Sequence, residues 1–87
     1  MQLAKVNGKV TCSKSHPSFV NQKLLLCQPL GVDGQETGDP LIVVDHLGAG
    51  AGNLVMISSD SKRLRILVGD DKTPIRWFIL GVIDDQR

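Results

Sequence analysis

The sequence has few of the residues from which nucleic-acid platforms are built. It contains no tyrosine, one tryptophan and two phenylalanines. Single-stranded nucleic acids are commonly held on exposed aromatic rings beside a basic groove, and this composition offers little of either. Ten Lys and Arg residues against nine Asp and Glu residues give a net charge of +1, and no basic block is present that could neutralise a run of phosphates. Charge therefore indicates no nucleic-acid partner.

Long apolar runs are also absent. No stretch approaches the roughly 18–20 apolar residues that cross a membrane, and residues 1–6 lack the apolar core of a signal peptide. We therefore expect a soluble cytoplasmic protein without a membrane partner. Cys12 and Cys27 are too far apart for a CxxC pair, and both lie in apolar, strand-like surroundings. A free cysteine in such surroundings behaves as a small buried hydrophobe, so we predict two buried thiols.

The length limits the architecture. A chain of 87 residues has room for one hydrophobic core, because a compact domain commonly needs about 100 residues. We expect a single domain over residues 1–87. A domain of this size buries only roughly 60–65% of the surface that its unfolded chain exposes, which makes oligomerisation a reasonable expectation.

Short apolar segments separated by turn residues indicate an all-β protein. Residues 4–12 alternate between apolar or small and polar side chains, as in a half-buried strand. Further strand predictions, rich in β-branched or apolar residues, fall on residues 24–27, 41–45, 54–57 and 75–83. Residues 31–40 are dense in Gly, Asp and Pro and predict an exposed hairpin loop. Residues 58–62 offer caps for one helical turn, whereas 64–68 fit either a helix or a strand. Closure of five or six strands into a small barrel removes exposed edges, so a barrel is favoured over a sandwich.

The most unusual segment is residues 48–52, with the sequence GAGAG. A phosphate cradle of backbone N–H groups is one interpretation. The spacing argues against it, because Asn53 stands where a dinucleotide fingerprint needs its third glycine and no Gly-Lys-Ser/Thr ending follows. A tight backbone crossing or a subunit contact is the more economical interpretation.

Catalytic and metal sites find no support in the spacing of the candidate residues. Asp45 and His46 are neighbours at a strand end, where successive side chains point to opposite faces. The remaining candidates, without a recognised motif around them, are His16, the serines near Asp60 (Ser58, Ser59 and Ser61) and the pair Asp84 and Asp85. We therefore predict no catalytic residue, no metal and no cofactor.

Several segments in order resemble the vertex proteins of bacterial microcompartments, the small corner proteins of carboxysomes and of ethanolamine and propanediol compartments. The resemblance covers nearly the whole chain and is strongest at residues 44–52 (VDHLGAGAG). The other matching segments are residues 1–10 (MQLAKVNGKV), 23–26 (KLLL), 33–34 (DG), 74–75 (PI) and 81–84 (GVID).

This resemblance implies a five-stranded barrel of the oligonucleotide-binding type whose copies form a homo-pentamer at the corners of a protein shell. A flat layer of hexagonal tiles cannot close, and a five-fold ring supplies the missing curvature. The implied partners are hexameric and trimeric shell proteins. The implied packing residues include Gly48, Ala49, Gly50 and Gly52, in the family's signature loop.

The chain departs from the family pattern around residues 63–77. There the linker is longer, and Arg76 and Trp77 replace the usual small and acidic pair. An extra hairpin over residues 64–68 is one expectation. Because interfaces favour Trp and Arg, we add Arg76 and Trp77 to the predicted packing residues, with Trp77 at the subunit boundary.

Two other functional classes stay open at this point. The first alternative is a small barrel that binds nucleic acid or a small ligand, with Arg76 and Trp77 as its contact pair. A hydrolase or metal enzyme is the remaining alternative, and it has the weakest support in the sequence. The leading prediction is a structural shell protein.

Overall fold

The computed structural model describes residues 1–10, 23–69 and 75–83. The elements, in chain order, are β1 Gln2–Val10, β2 Leu24–Pro29, β3 Leu41–Val44, β4 Leu54–Ser58, α1 Ser61–Val68 and β5 Trp77–Ile83. Each predicted strand is present, with no end moved by more than two residues. Several residues discussed above lie outside the described residues: Cys12, His16, Asp84 and Asp85.

The five strands form a closed barrel in the order β1-β2-β3-β5-β4. Strands β3 and β5 run parallel, and the other four pairs are antiparallel. The prediction of a small five-stranded barrel is confirmed. Closure gives each of the five described strands two neighbours, so none of them is an open sheet edge that could promote aggregation.

A β-bulge in β1 changes the face on which its side chains lie. Ala4 and Val6 pair with Pro29 and Cys27, but the register shifts before Gly8, which pairs with Leu26. Ala4 and Val6 therefore belong to the barrel interior, whereas Val10 packs against a second apolar cluster outside it. The even-numbered residues of the predicted strand do not share one face, because the extra residue reverses the alternation.

The core has two parts. The first fills the barrel and consists of Ala4, Val6, Leu25, Cys27, Val43, Ala49, Val55, Ile57 and Ile79. The second is packed around Leu64 of α1 and consists of Leu24, Val44, Leu64, Ile75 and Phe78. Val43 and Val44 are neighbours on β3 that point to opposite faces, and so each belongs to a different part. The helix thus covers an apolar surface on the outer wall of the barrel.

The extra hairpin expected over residues 64–68 is wrong, because this segment belongs to α1. The Asp60 carboxylate accepts hydrogen bonds from the N–H groups of Lys62 and Arg63, which caps the first turn. Gly69 ends the helix with a φ of 79° and donates its N–H to the Arg65 carbonyl. The alternation of apolar residues had suggested a strand with one buried face. That interpretation does not hold, because Ile66 is 77% exposed.

The β2–β3 connection is the exposed hairpin loop that the turn residues predicted. Buried Gln28 holds this loop, because its amide donates to the carbonyls of Thr37 and Gly38 at 3.3 and 3.1 Å. Among the described residues, no helix is both long and apolar enough to cross a membrane.

Candidate functional site

The loop between β3 and β4, residues 45–53, is organised by one buried carboxylate. Asp45 follows the last residue of β3, and its side chain is fully shielded from solvent. Its Oδ1 accepts hydrogen bonds from the N–H groups of Leu47 at 2.8 Å and Gly48 at 3.1 Å. Its Oδ2 accepts one from the N–H of Ala49 at 2.9 Å. Aspartate suits this position because its short side chain reaches the backbone two to four residues further along.

Lys23 completes the partners of this carboxylate. Its Nζ lies 3.2 Å from Asp45 Oδ2 and donates to the Ala49 carbonyl at 2.9 Å. The two backbones are also joined, since the Asp45 N–H donates to the Lys23 carbonyl at 2.9 Å. A buried carboxylate is costly unless it is paired and hydrogen-bonded. Here Lys23, at the entry to β2, supplies the counter-charge.

The second half of the loop is attached to β1. The Gly52 N–H donates to the Val6 carbonyl at 2.8 Å, and the Val6 N–H donates to the Asn53 carbonyl at 2.9 Å. The Asn53 side chain accepts from the Gly50 N–H at 2.7 Å. The loop is therefore fixed at both of its halves, with Gly50 and Ala51 exposed between them.

The four predicted packing residues of this loop have different roles within the subunit. Gly48 and Gly52 have φ angles of 85° and 87°, in the left-handed region that favours glycine. Neither they nor Gly50 closely approaches the backbone of another described residue, because an added Cβ would meet none of those residues nearer than 3.8 Å. Ala49 is 1% exposed and packs in the barrel core. Residues 48 and 52 therefore favour glycine because of their backbone conformation. Residue 50 does not have a positive φ, so its backbone conformation does not call for glycine.

Arg76 and Trp77 lie at the start of β5, beside the strand that leads into this loop. Trp77 pairs with Val43, two residues before Asp45. Its ring is half-buried and packs against the barrel core. Arg76 is exposed, and its Nη1 donates to the Ile75 carbonyl at 3.3 Å. The rest of the Trp77 side chain is exposed at the surface of the barrel.

The hydrogen bonds of the loop argue against phosphate binding. The N–H groups of residues 47–49 donate to Asp45, that of Gly50 donates to Asn53, and that of Gly52 donates to Val6. A phosphate cradle uses such N–H groups as its donors. A cleft of about 250 Å³ does open beside the loop, lined in part by Lys9, Lys23 and Leu25. Lys23 is already engaged with Asp45 in this cleft.

The other candidate residues of the sequence are not gathered into a reactive centre. Cys27 is buried in the barrel, which confirms the prediction of a buried thiol at this position. Burial, with a smaller contribution from the Asp45 charge, raises the pKa of Cys27 from 9.0 to about 11. The thiol therefore stays protonated at neutral pH. Within the part of the chain that the structure describes, no three His, Cys, Asp or Glu side chains come together as a metal site requires.

Sequence reasoning missed the role of Asp45, which it treated only as a weak metal-ligand candidate. The signal was present locally, because an aspartate followed by a Gly-rich segment is typical of a side chain that caps its own loop. The ion pair with Lys23 left no local signal, since 21 residues lie between the two partners.

Comparison with protein families supplies the identity of this fold. The family described as ethanolamine utilisation protein EutN/carboxysome matches residues 1–84. The chain belongs to this family. Its relatives include the microcompartment shell vertex protein PduN of Salmonella typhimurium, which is 33% identical over 97% of this chain and 96% of PduN. The carboxysome shell vertex protein CcmL of Gloeobacter violaceus is 34% identical over 97% of this chain and 83% of CcmL.

Solved structures agree with the sequence comparison over the full chain. The structure of Gloeobacter violaceus CcmL aligns with a TM-score of 0.83 at 33% identity, covering 100% of this chain and 89% of CcmL. GrpN, a pentameric microcompartment shell protein from Rhodospirillum rubrum, aligns with a TM-score of 0.80 at 29% identity. That alignment covers 100% of this chain and 98% of GrpN. The relatives are thus shell proteins that match this barrel from end to end.

Proposed function

We propose that this member of the EutN/CcmL family is a structural protein of a bacterial microcompartment shell, where five copies form a ring that caps each vertex. Its location is the shell, within the cytoplasm. The observation that carries this function is the end-to-end match of one barrel to named vertex proteins. The match to pentameric GrpN, which covers nearly all of both chains, supports five-fold closure.

The surface of the barrel fits a protein that assembles. Seven large apolar side chains of the described residues are exposed: Met1, Val32, Ile42, Leu47, Ile66, Val82 and Ile83. A ring with a rotation axis needs two different patches on each subunit, one for each neighbour. We place one of these patches at Gly48, Ala49, Gly50 and Gly52, and we assign Arg76 and Trp77, at the start of β5, to a subunit boundary as well. Ala49 contributes from within, since its side chain supports the loop from the core.

Two further parts of this function are proposals. The outer rim of the ring contacts hexameric and trimeric shell proteins, and the chain has no catalytic role. The named relatives are vertex proteins of shells, which supports a structural role. The one buried carboxylate of the described residues, Asp45, is already occupied by its own loop and by Lys23.

Native mass spectrometry of the purified full chain tests the ring. We expect a complex of five subunits that persists on dilution into the low micromolar range. A monomer or dimer at all concentrations would contradict the proposed function. Co-expression with a hexameric shell protein tests the partners. Closed particles should form with the chain, and only open sheets or tubes should form without it.

A further inference from the structure

The loop over residues 45–53 owes its shape mainly to polar contacts. Leu47 is 54% exposed, and Gly48, Gly50 and Ala51 are also exposed. Only Ala49 of this central segment packs in the core. Apolar burial therefore cannot by itself determine where residues 47–51 lie. The N–H groups of residues 47–49 are held by Asp45, and that of Gly50 is held by Asn53.

Asp45 and Lys23 act on the same short segment from two sides. The carboxylate binds the N–H of Ala49 at 2.9 Å, and the Lys23 ammonium binds the carbonyl of Ala49 at 2.9 Å. The ammonium and the carboxylate are themselves 3.2 Å apart. Both peptide groups around Ala49 are thus held, and the ion pair ties them to the start of β2. Loss of either side chain removes part of one connected network.

We propose that Asp45 and Lys23 are positioning residues for ring assembly, which hold residues 47–51 in the shape that a second copy of this chain contacts. This inference rests on the proposed function, because it places the loop at the subunit boundary. A preformed loop favours association, since no ordering of the segment opposes binding. Ring closure increases the effect, because each of five identical boundaries requires the same loop shape.

The test compares Asp45→Asn with Asp33→Asn in the full-length protein. Asp33 is the matched control, since its carboxylate also accepts a backbone N–H, that of Gln35, but in the exposed β2–β3 loop. The Asp45→Asn substitution keeps the shape of the side chain, but it removes the charge and one of the two acceptor oxygens. Hydrogen exchange of the amides of residues 47–49 reports the loop. Native mass spectrometry across a dilution series reports the ring.

We expect Asp45→Asn to keep the circular dichroism of the barrel, while amide protection at residues 47–49 falls at least tenfold. The subunit concentration needed for half-assembly should also rise at least tenfold. Asp33→Asn should change neither quantity at these sites. Normal assembly of Asp45→Asn would overturn the inference, and so would loop amides that stay protected.

A second variant keeps the test decisive if Asp45→Asn does not fold. Lys23→Met removes the ammonium of a side chain that is 39% exposed and leaves the three N–H bonds to Asp45. We expect a weaker ring, with a several-fold rise in the half-assembly concentration; an unchanged ring would overturn the proposal. In the double variant the loss should not exceed that of Asp45→Asn alone, because the two residues act as one unit. A wild-type protein that never forms rings would instead contradict the proposed function itself.

Discussion

Alanine substitutions at three glycines of the β3–β4 loop, residues 45–53, can separate the role of this loop in folding from its role in assembly. Gly48 and Gly52 have φ angles of 85° and 87°, whereas Gly50 is not in the left-handed region. Among the described residues, an added Cβ has no neighbour within 4 Å at residues 48 and 52, and at residue 50 its nearest neighbour is Asn53 Oδ1 at 3.8 Å. No described residue would crowd any of the three variants, so the expected difference between them is in the backbone conformation.

The expected free energies follow from this difference. An alanine in the left-handed region costs about 1–2 kcal/mol. Replacing any glycine also lowers the entropy of the unfolded chain, which returns about 0.4–1 kcal/mol. Gly48→Ala and Gly52→Ala should each lower the free energy of unfolding by up to about 1.6 kcal/mol. Gly50→Ala has no strain to offset the entropy gain, so the isolated subunit should be unchanged or stabilised by up to about 1 kcal/mol.

Urea denaturation measures these values, at dilutions where the rings have dissociated. Dilution matters because association adds a stability that depends on protein concentration. Native mass spectrometry of the same variants then measures the ring. If Gly50 lies against the neighbouring subunit, Gly50→Ala should weaken the ring without weakening the subunit. A loss of subunit stability in Gly50→Ala as large as in the other two variants would refute the reasoning.

Three further predictions concern other parts of the barrel. Trp77→Ala should weaken the ring by more than it weakens the subunit, because the half-buried ring has an exposed part left for a neighbour; native mass spectrometry showing unchanged assembly would argue against a boundary position. The second prediction concerns Cys27, in a Cys12→Ala background. The unfolded chain loses the Cys27 proton near pH 9, whereas the folded protein loses it only near pH 11. The free energy of unfolding of the subunit should therefore fall as the pH rises from 9 to 11. The loss of unfolding free energy approaches about 2–3 kcal/mol above pH 11. Urea titrations at several pH values measure it, and this pH dependence should disappear when Cys27→Ala is added. Asp60→Ala should lower the free energy of unfolding by about 1 kcal/mol through the lost α1 cap, with Asp33→Ala as a surface control that shifts the urea midpoint much less.

Much of the strand architecture is local in origin and was predictable. Residues 24–27, 41–45 and 54–57 are apolar runs bounded by turn residues, and each forms a strand in the barrel. The exposed loop of residues 31–40 follows from its Gly, Asp and Pro content. These features depend on side-chain patterns over a few residues, which a sequence displays directly.

The errors fall where two local patterns compete. Residues 64–68 alternate as a strand would, but Leu64, Leu67 and Val68 also have the i, i+3, i+4 spacing of a helix face. The Asp60 cap and the left-handed Gly69 decide for the helix. In β1 the bulge reverses the alternation after Val6, and only pairing with β2 reveals the extra residue.

By itself, the sequence determined the all-β class, the positions of the strands and the family to which the chain belongs. Tertiary structure decided which residues work together, because those contacts join segments that are distant along the chain. Lys23 meets Asp45 only when β2 and β3 pair, and Trp77 reaches Val43 only when the barrel closes through its parallel strands. The ion pair at Asp45 and the exposed part of Trp77 are properties of the closed barrel, since neither depends on neighbours in the sequence.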